Sequence, residues 1–192
     1  MKLSFKSTIA IATGFVFLSA MGCSKDKTMD TSSTQSTRDR SSAADRAPSA
    51  LNATDRDFAV IAAQAGMAEV ELGNLAQTQG SDDRIRSYGK KLVEDHARLN
   101  NDLKDNAAKQ ALTLPTDVNS DQRKAIDTLS RRSGPQFDSE FWKTAVNDHA
   151  KAIEEFRKEA AMGDNQALKD FASKSIPTLE DHLRMAQNKA AN

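Results

Sequence analysis

The sequence predicts an all-α domain, a four-helix bundle built from two helical hairpins, and three observations support this. From Thr54 onward, apolar residues recur at every third and fourth position, which is typical of amphipathic helices. Strand-like runs bounded by turns are absent. Glycines at positions 80 and 163 each interrupt a long periodic segment. We therefore expect four long helices, with a short extra helix in the long connector between the two hairpins.

Residues 1–22 predict a signal peptide. Lys2 and Lys6 supply a basic start, and residues 9–20 form an apolar stretch that ends shortly before Cys23, the only cysteine. This arrangement resembles a lipoprotein signal, in which Cys23 would carry the lipid, although Ala20 stands where leucine is usual. Ordinary cleavage after Gly22 is the alternative. We expect the protein in the bacterial cell envelope, periplasm or outer membrane, with a lipid on Cys23 as its membrane anchor.

Residues 23–52 predict a disordered tether, because they are rich in serine, threonine and charge and contain few large apolar side chains. A single cysteine excludes an intramolecular disulfide. Residues 53–190 have the size of one domain with one core. The 27 basic residues balance the 27 acidic ones, which gives no electrostatic case for nucleic-acid binding.

The first hairpin is predicted from its caps. Thr54 can cap a first helix that stops at Gly80, and its apolar face includes Ile61. Ser81, followed by two aspartates, can open a second helix that ends before Pro115. Because the turn is tight, these two helices should pack side by side.

The connector and the second hairpin are predicted from their own caps and helix breakers. Ser120 starts the short helix, and Gly134-Pro135 should end it. Asp138 is the predicted cap of the third long helix, which ends at Gly163. Asp164 or Asn165 then caps the fourth helix, where Pro177 predicts a kink. The pattern leaves open whether the bundle has up-down or crossover topology.

One titratable residue lies on the apolar face of each long helix: Glu69, His96, His149 and His182. Glu69 and His96 lie 11 and 16 residues from the glycine of their turn, and His149 and His182 lie 14 and 19 residues from theirs. Both hairpins therefore have the same five-residue offset. Side chains lean toward the N-terminus of their helix, so both pairs should converge.

A glutamate and three imidazoles in an apolar interior suit Zn²⁺, Cu²⁺ or Fe²⁺, and these four residues are our predicted metal ligands. Each histidine follows an aspartate. Neighbouring residues on a helix do not face each other, so each aspartate could instead hold the ring N–H of a histidine on an adjacent helix. These aspartates are Asp95, Asp148 and Asp181. A di-iron centre is not predicted, because no glutamate lies three residues before a histidine.

Two other interpretations compete with a metal site. The histidines could belong to a structural polar network that fixes helix register, or they could be unrelated buried residues. We predict no catalytic residues, and an enzyme is the least favoured class, since no nucleophile is paired with a base. The leading hypothesis is an envelope lipoprotein that binds one metal ion for storage, buffering or stress protection. The alternative is a non-enzymatic structural or interaction module.

Several segments also carry a family resemblance: "DFAVIAAQAGMAEVELGNLA", "LVEDH", "SGPQFDSEFW", "NDH" and "IPTLEDHLRMA", in that order. Together they resemble the bacterial domain-of-unknown-function family 4142, over Asp57 to about Ala186. The resemblance implies an exported or outer-membrane protein with a ferritin-like bundle, and no established reaction. Phe141 stands where tyrosine is expected. The family pattern singles out these positions: Glu69, His96, Phe137, Asp138, His149, Pro177 and His182.

Overall fold

The computed structural model describes residues 51–190, which are all-helical apart from turns and one connector, and this confirms the predicted fold class. The predicted signal peptide, Cys23 and the tether up to residue 50 lie outside the described residues. The five helices are α1 (Ala53–Gln79), α2 (Asp83–Lys109), α3 (Ser120–Ser130), α4 (Gly134–Met162) and α5 (Gln166–Ala190). Four of them are long and form the bundle, while α3 is the short extra helix of the connector.

Contacts between the ends of the helices identify the topology as crossover. At the end that holds the α1–α2 turn, the backbone N–H of Ser81 donates to Asp138 Oδ1 of α4 (3.1 Å). We call this the upper end. At the opposite, lower end, Asp55 of α1 accepts from the backbone N–H of Asn165 in the α4–α5 turn (3.0 Å). Because α4 starts at the upper end and α2 finishes at the lower end, the connector over residues 110–133 runs the length of the bundle.

The short helix α3 lies against α1 on the outside of the bundle. Asn119 and Gln122 form a capping box at its start. Arg123 donates two hydrogen bonds, of 2.6 and 2.9 Å, to the carboxylate of Glu71 on α1. Ile126 and Leu129 bury the inner face of α3. The connector is therefore packed along the bundle through both charge pairing and apolar burial.

The domain begins slightly earlier than the sequence indicated. Asn52, rather than Thr54, caps α1, and its side chain accepts from the backbone N–H of Asp55 (2.8 Å). Leu51 is buried in the core. These two residues, which the sequence assigned to the tether, belong to the folded domain.

The caps predicted for α2 and α4 are also wrong. The N-cap of α2 is Asp82, one residue after Ser81. The dipeptide Gly134-Pro135 begins α4 instead of ending α3, because the fixed φ of proline suits the first turn of a helix and its missing N–H is not needed there. Asp138 therefore lies inside α4, where it accepts hydrogen bonds from Ser81.

The core consists of two apolar clusters, one above the other. In the upper cluster the rings of Tyr88 and Phe141 meet edge to face at 6.0 Å. In the lower cluster Phe58 and Phe156 meet edge to face at 5.1 Å. Ile61, which the periodicity placed in the core, is 47% exposed, so that prediction is wrong. The predicted inward polar residues fall between the two clusters along every long helix.

Helix α5 is helical on both sides of Pro177, so the proline does not end it. Nearby, the Ser175 hydroxyl donates to the backbone carbonyl of Phe171 (2.8 Å). Among residues 51–190, none of the helices is long and apolar enough to cross a membrane.

Candidate metal centre

The three histidines of the chain meet in the middle of the bundle. His96 comes from α2, His149 from α4 and His182 from α5, and each is at most 5% exposed. Their ring centroids are 5.1 to 5.6 Å apart. One ring nitrogen of each histidine lies within 4.8 Å of the others. The equal offset of the two hairpins thus brings the three imidazoles to one height.

A close backbone contact fixes the register of α1 against α2 near this cluster. A Cβ atom on Gly89 of α2 would lie 2.6 Å from the carbonyl oxygen of Gly73 on α1, a distance that real Cβ atoms do not tolerate. Gly73 lies one helical turn after Glu69, and Gly89 lies two turns before His96. Only glycine at these positions lets the helices approach closely enough to set both polar side chains at the same level.

Hydrogen bonds to oxygen atoms assign the tautomers of two of the rings. His149 Nδ1 lies 2.8 Å from the backbone carbonyl of Ala145, which accepts its proton. His182 Nε2 lies 2.9 Å from Asp95 Oδ2, which also accepts. The remaining nitrogens, His149 Nε2 and His182 Nδ1, are 3.2 Å apart. When both rings are neutral, two lone pairs therefore face each other, and this contact is favourable only with a cation between them.

The surroundings of these rings oppose a proton as that cation. Burial, together with the nearby His182, lowers the pKa of His149 to about 4. Burial also lowers the pKa of His182, although its hydrogen bond to Asp95 acts in the opposite direction. A metal ion fits the geometry, since two imidazole nitrogens at 2.0–2.1 Å from one tetrahedral Zn²⁺ would be about 3.3 Å apart.

His96 provides a third nitrogen. Its Nε2 is buried and has no hydrogen-bond partner among the described residues. Burial lowers the pKa of His96 well below its usual value, and the two neighbouring histidines add to this effect. The ring is therefore neutral and has a nitrogen to offer to an ion. Three buried neutral imidazoles form a donor set that suits Zn²⁺, Cu²⁺ or Fe²⁺.

Asp95 holds His182 from the flank of α2. Burial by itself would raise the pKa of this carboxyl, but hydrogen bonds from Lys91, His182 and Arg98 outweigh it and lower the pKa to about 2. Lys91 Nζ and an Arg98 guanidinium nitrogen lie 2.9 and 2.7 Å from the carboxylate. Sequence analysis missed both basic residues. Lys91 lies four residues before Asp95 and Arg98 three residues after it, and this helical spacing could have predicted their ion pairs with Asp95. Such carboxylate support keeps a ligating histidine in one tautomer.

The other two aspartates have different neighbours from the histidines that the sequence analysis expected. Asp181 pairs with Arg184 and lies 3.7 Å from Lys91. Asp148 is half-buried beside Glu69 and lines a cavity. Of the three aspartates that precede a histidine, Asp95 is the one that accepts a hydrogen bond from a histidine ring nitrogen.

Glu69 lies next to the three imidazoles without joining their group. Its Oε1 is 3.6 Å from His149 Nδ1, the nitrogen that donates to Ala145, and this distance is too long for a hydrogen bond. Its Oε2 is buried without a partner. Burial raises the pKa of Glu69 well above its usual value, and the charge of Asp148 adds to this. The structure thus brings together three of the four predicted ligands and places the fourth behind one ring.

A cavity of about 270 Å³ adjoins the cluster on its lower side. Glu69, His96 and His149 line one end of it. The cavity provides space beside two of the imidazoles, so an ion bound there would have room for a small additional ligand.

The fold and the buried histidines define a four-helix-bundle protein with a candidate metal centre. The chain belongs to the family described as "Domain of unknown function (DUF4142)", which matches residues 40–188 and confirms the resemblance found in the sequence. A crystal structure of a DUF305 fragment from Deinococcus radiodurans is similar, with a TM-score of 0.64 and 11% identity. The likeness covers 73% of this chain and 97% of that one, and shows the fold alone. No curated protein matches the sequence.

Proposed function

We propose that this protein binds one transition-metal ion, Zn²⁺, Cu²⁺ or Fe²⁺, through His96, His149 and His182. In this proposal it is an exported lipoprotein, anchored in the cell envelope by a lipid on Cys23, and it stores or buffers metal or protects against metal stress. The observation that carries the proposal is the 3.2 Å contact between two imidazole nitrogens whose protons point elsewhere. A cation is what such a contact lacks.

Glu69 is not among the ligands in this proposal. It lies beside His149 on the side away from His182, at 3.6 Å from a ring nitrogen that donates to Ala145, so the ligands are the three histidines. Three protein ligands then leave one tetrahedral position for water or another small ligand.

The test is metal binding by tag-free protein expressed from the full chain. After treatment with EDTA, titration with Zn²⁺ should reach about one ion per chain, and elemental analysis of untreated protein should find a transition metal. His96→Ala combined with His149→Ala should abolish binding while circular dichroism still shows a helical fold. Asn100→Ala, which changes a residue that lines the cavity and is not a histidine, is the control and should bind normally. Protein that carries no metal and takes up none of the three ions would refute the proposal.

A structural network is the second candidate, because one specific chain of contacts supports it. Asp95, His182 and His149 join α2, α5 and α4 through contacts of 2.9 and 3.2 Å, and in this candidate a shared proton, in place of a metal ion, completes the second contact. If the cluster serves only to fix helix register, His149→Leu should leave stability unchanged or raise it, because apolar replacement of a buried network is often neutral or better. Added Zn²⁺ should then not raise the melting temperature of the unsubstituted protein.

A further inference from the structure

The metal proposal does not explain the cavity that lies beside the histidines. Its volume, about 270 Å³, exceeds the roughly 150 Å³ of an engineered cavity that accepts benzene. It falls just below the roughly 300–1,000 Å³ of pockets for drug-sized molecules. The space therefore suits a molecule of about 10 to 15 non-hydrogen atoms.

The two ends of the cavity differ in chemistry. Its lower part is lined by apolar side chains from all four long helices, among them Ala62, Leu103, Phe156 and Phe171. Ile61, whose 47% exposure is unusual for a large apolar residue in the described part of the chain, also lines it. Apolar side chains that line a space reached from solvent are typical of ligand pockets.

The end next to the histidines is polar and incompletely paired. Glu69 and His96 both line the cavity, and each has one buried polar atom without a hydrogen-bond partner, Oε2 and Nε2 respectively. Leaving such an atom unpaired in a folded protein is unfavourable, so a ligand that pairs with it gains affinity. A ligand with one polar group at this end would supply a partner for Glu69 even when His96 holds a metal ion.

We propose that this cavity binds a small uncharged molecule with an apolar ring and a single hydroxyl group, such as a phenol or an alicyclic alcohol. The ring occupies the space between Leu103, Phe156 and Phe171, and the hydroxyl meets Glu69. A hydroxyl both donates and accepts, so it pairs with the carboxyl group in either protonation state. Acidic side chains, Glu69 and Asp148, lie at the polar end and oppose an anionic head, whereas an uncharged hydroxyl pairs with Glu69 without adding charge. This binding does not depend on a metal ion.

The probes are 2-naphthol and naphthalene, which share one ring system and differ by the hydroxyl group. Each is titrated into tag-free protein expressed from the full chain, once after EDTA treatment and once with added Zn²⁺. Binding is followed by the fluorescence of the probe and by backbone amide shifts in NMR spectra. We expect 2-naphthol to bind at one site, at least tenfold more tightly than naphthalene, with shifts in residues around Phe156 and Phe171. Binding in the EDTA-treated sample separates this proposal from the metal proposal.

Two matched variants on α4 test the location. Ala152 lines the cavity, whereas Ala150, two residues earlier, is exposed. Ala152→Leu should fill the space and weaken 2-naphthol binding at least tenfold, and Ala150→Leu should leave it unchanged. Glu69→Leu should reduce the preference for 2-naphthol over naphthalene to less than threefold.

Three outcomes would overturn the proposal. The first is no binding of either probe up to its solubility limit, which would mean that water alone occupies the cavity. The second is binding that Ala152→Leu does not weaken. The third is equal affinity for the two probes in the unsubstituted protein, which would contradict recognition of the hydroxyl.

Discussion

Two clusters of buried polar residues lie in this bundle, and they satisfy their polar atoms in different ways. At the lower end, Asp55 accepts from the backbone N–H groups of Asp164 and Asn165 (3.1 and 3.0 Å) and so holds the turn before α5. Asn165 caps α5, as the sequence predicted, because its Oδ1 accepts from the backbone N–H of Leu168 (3.1 Å). In the middle, His149 and His182 instead present two unprotonated nitrogens to each other. The comparison teaches that burial alone does not mark a site, since Asp55 is as buried as His149. What distinguishes the central cluster is that these two ring nitrogens have no proton between them.

The two clusters should also respond to pH in opposite directions. The pKa of His149 is lowered to about 4, so its neutral form stabilises the fold above pH 6.5, and this contribution is lost as the pH falls toward 4. Glu159, beside Asp55, is 2% exposed. Burial and the charge of Asp55 raise its pKa to about 7, so its protonated form stabilises the fold at low pH, and this contribution is lost as the pH rises through 7.

The largest expected effect comes from removing the carboxylate that holds the α4–α5 turn at the lower end. Asp55→Ala would leave two backbone N–H groups without their partner, and we expect it to lower the free energy of unfolding by about 3 kcal/mol. Urea denaturation at pH 7 measures this. Asp57→Ala changes the same residue type at an exposed position of α1 and should cost less than about 0.5 kcal/mol. Equal losses in the two variants would contradict the role of Asp55 in holding the turn.

Acidification tests the central cluster in the metal-free protein. Between pH 7 and pH 4 the protein should lose roughly 2 to 3 kcal/mol through His149, because its pKa lies well below the usual value of 6.5. The measurement is the free energy of unfolding against pH in the presence of EDTA. His149→Leu should flatten this part of the profile. A profile that keeps its slope in the variant would show that other groups cause the acid sensitivity.

The smallest effect is expected at Glu159. Glu159→Gln keeps the shape of the side chain and removes its ionisation, so it should abolish the loss of stability between pH 5 and pH 8. We expect a difference on the order of 1 kcal/mol at pH 8. Glu154→Gln, at an exposed position of α4, is the control and should follow the unsubstituted protein.

The rotational phase of each helix could be predicted from the sequence, whereas its surroundings could not. A period of about 3.6 residues places His96, His149 and His182 inward, and the turn glycines place them at one height. The rotational position of a residue on its helix does not, however, show how deeply its side chain is buried. Ile61 has the phase of a core residue, but it lines a cavity and is half exposed. Glu69 has the phase of a ligand, but it lies behind His149.

The topology and the helix starts could not be predicted from the sequence, for other reasons. The end at which α4 begins is seen from contacts such as that between Ser81 and Asp138, which are distant in the chain and leave no local pattern in the sequence. Several residues near each helix start are good caps, and tertiary contacts select among them, as the choice of Asn52 over Thr54 shows. The family resemblance gave the fold correctly and carried no information on which atoms meet.

The origin of the three imidazoles has a consequence for folding. The first hairpin, α1 with α2, supplies one ring, and the second, α4 with α5, supplies two. Each hairpin closes through contacts that are local in the chain, so it should form early, while docking of one hairpin against the other involves distant residues and should come later. An ion held by all three rings would join the hairpins only after docking, and their separation would require its release. Metal should therefore slow unfolding far more than it speeds refolding.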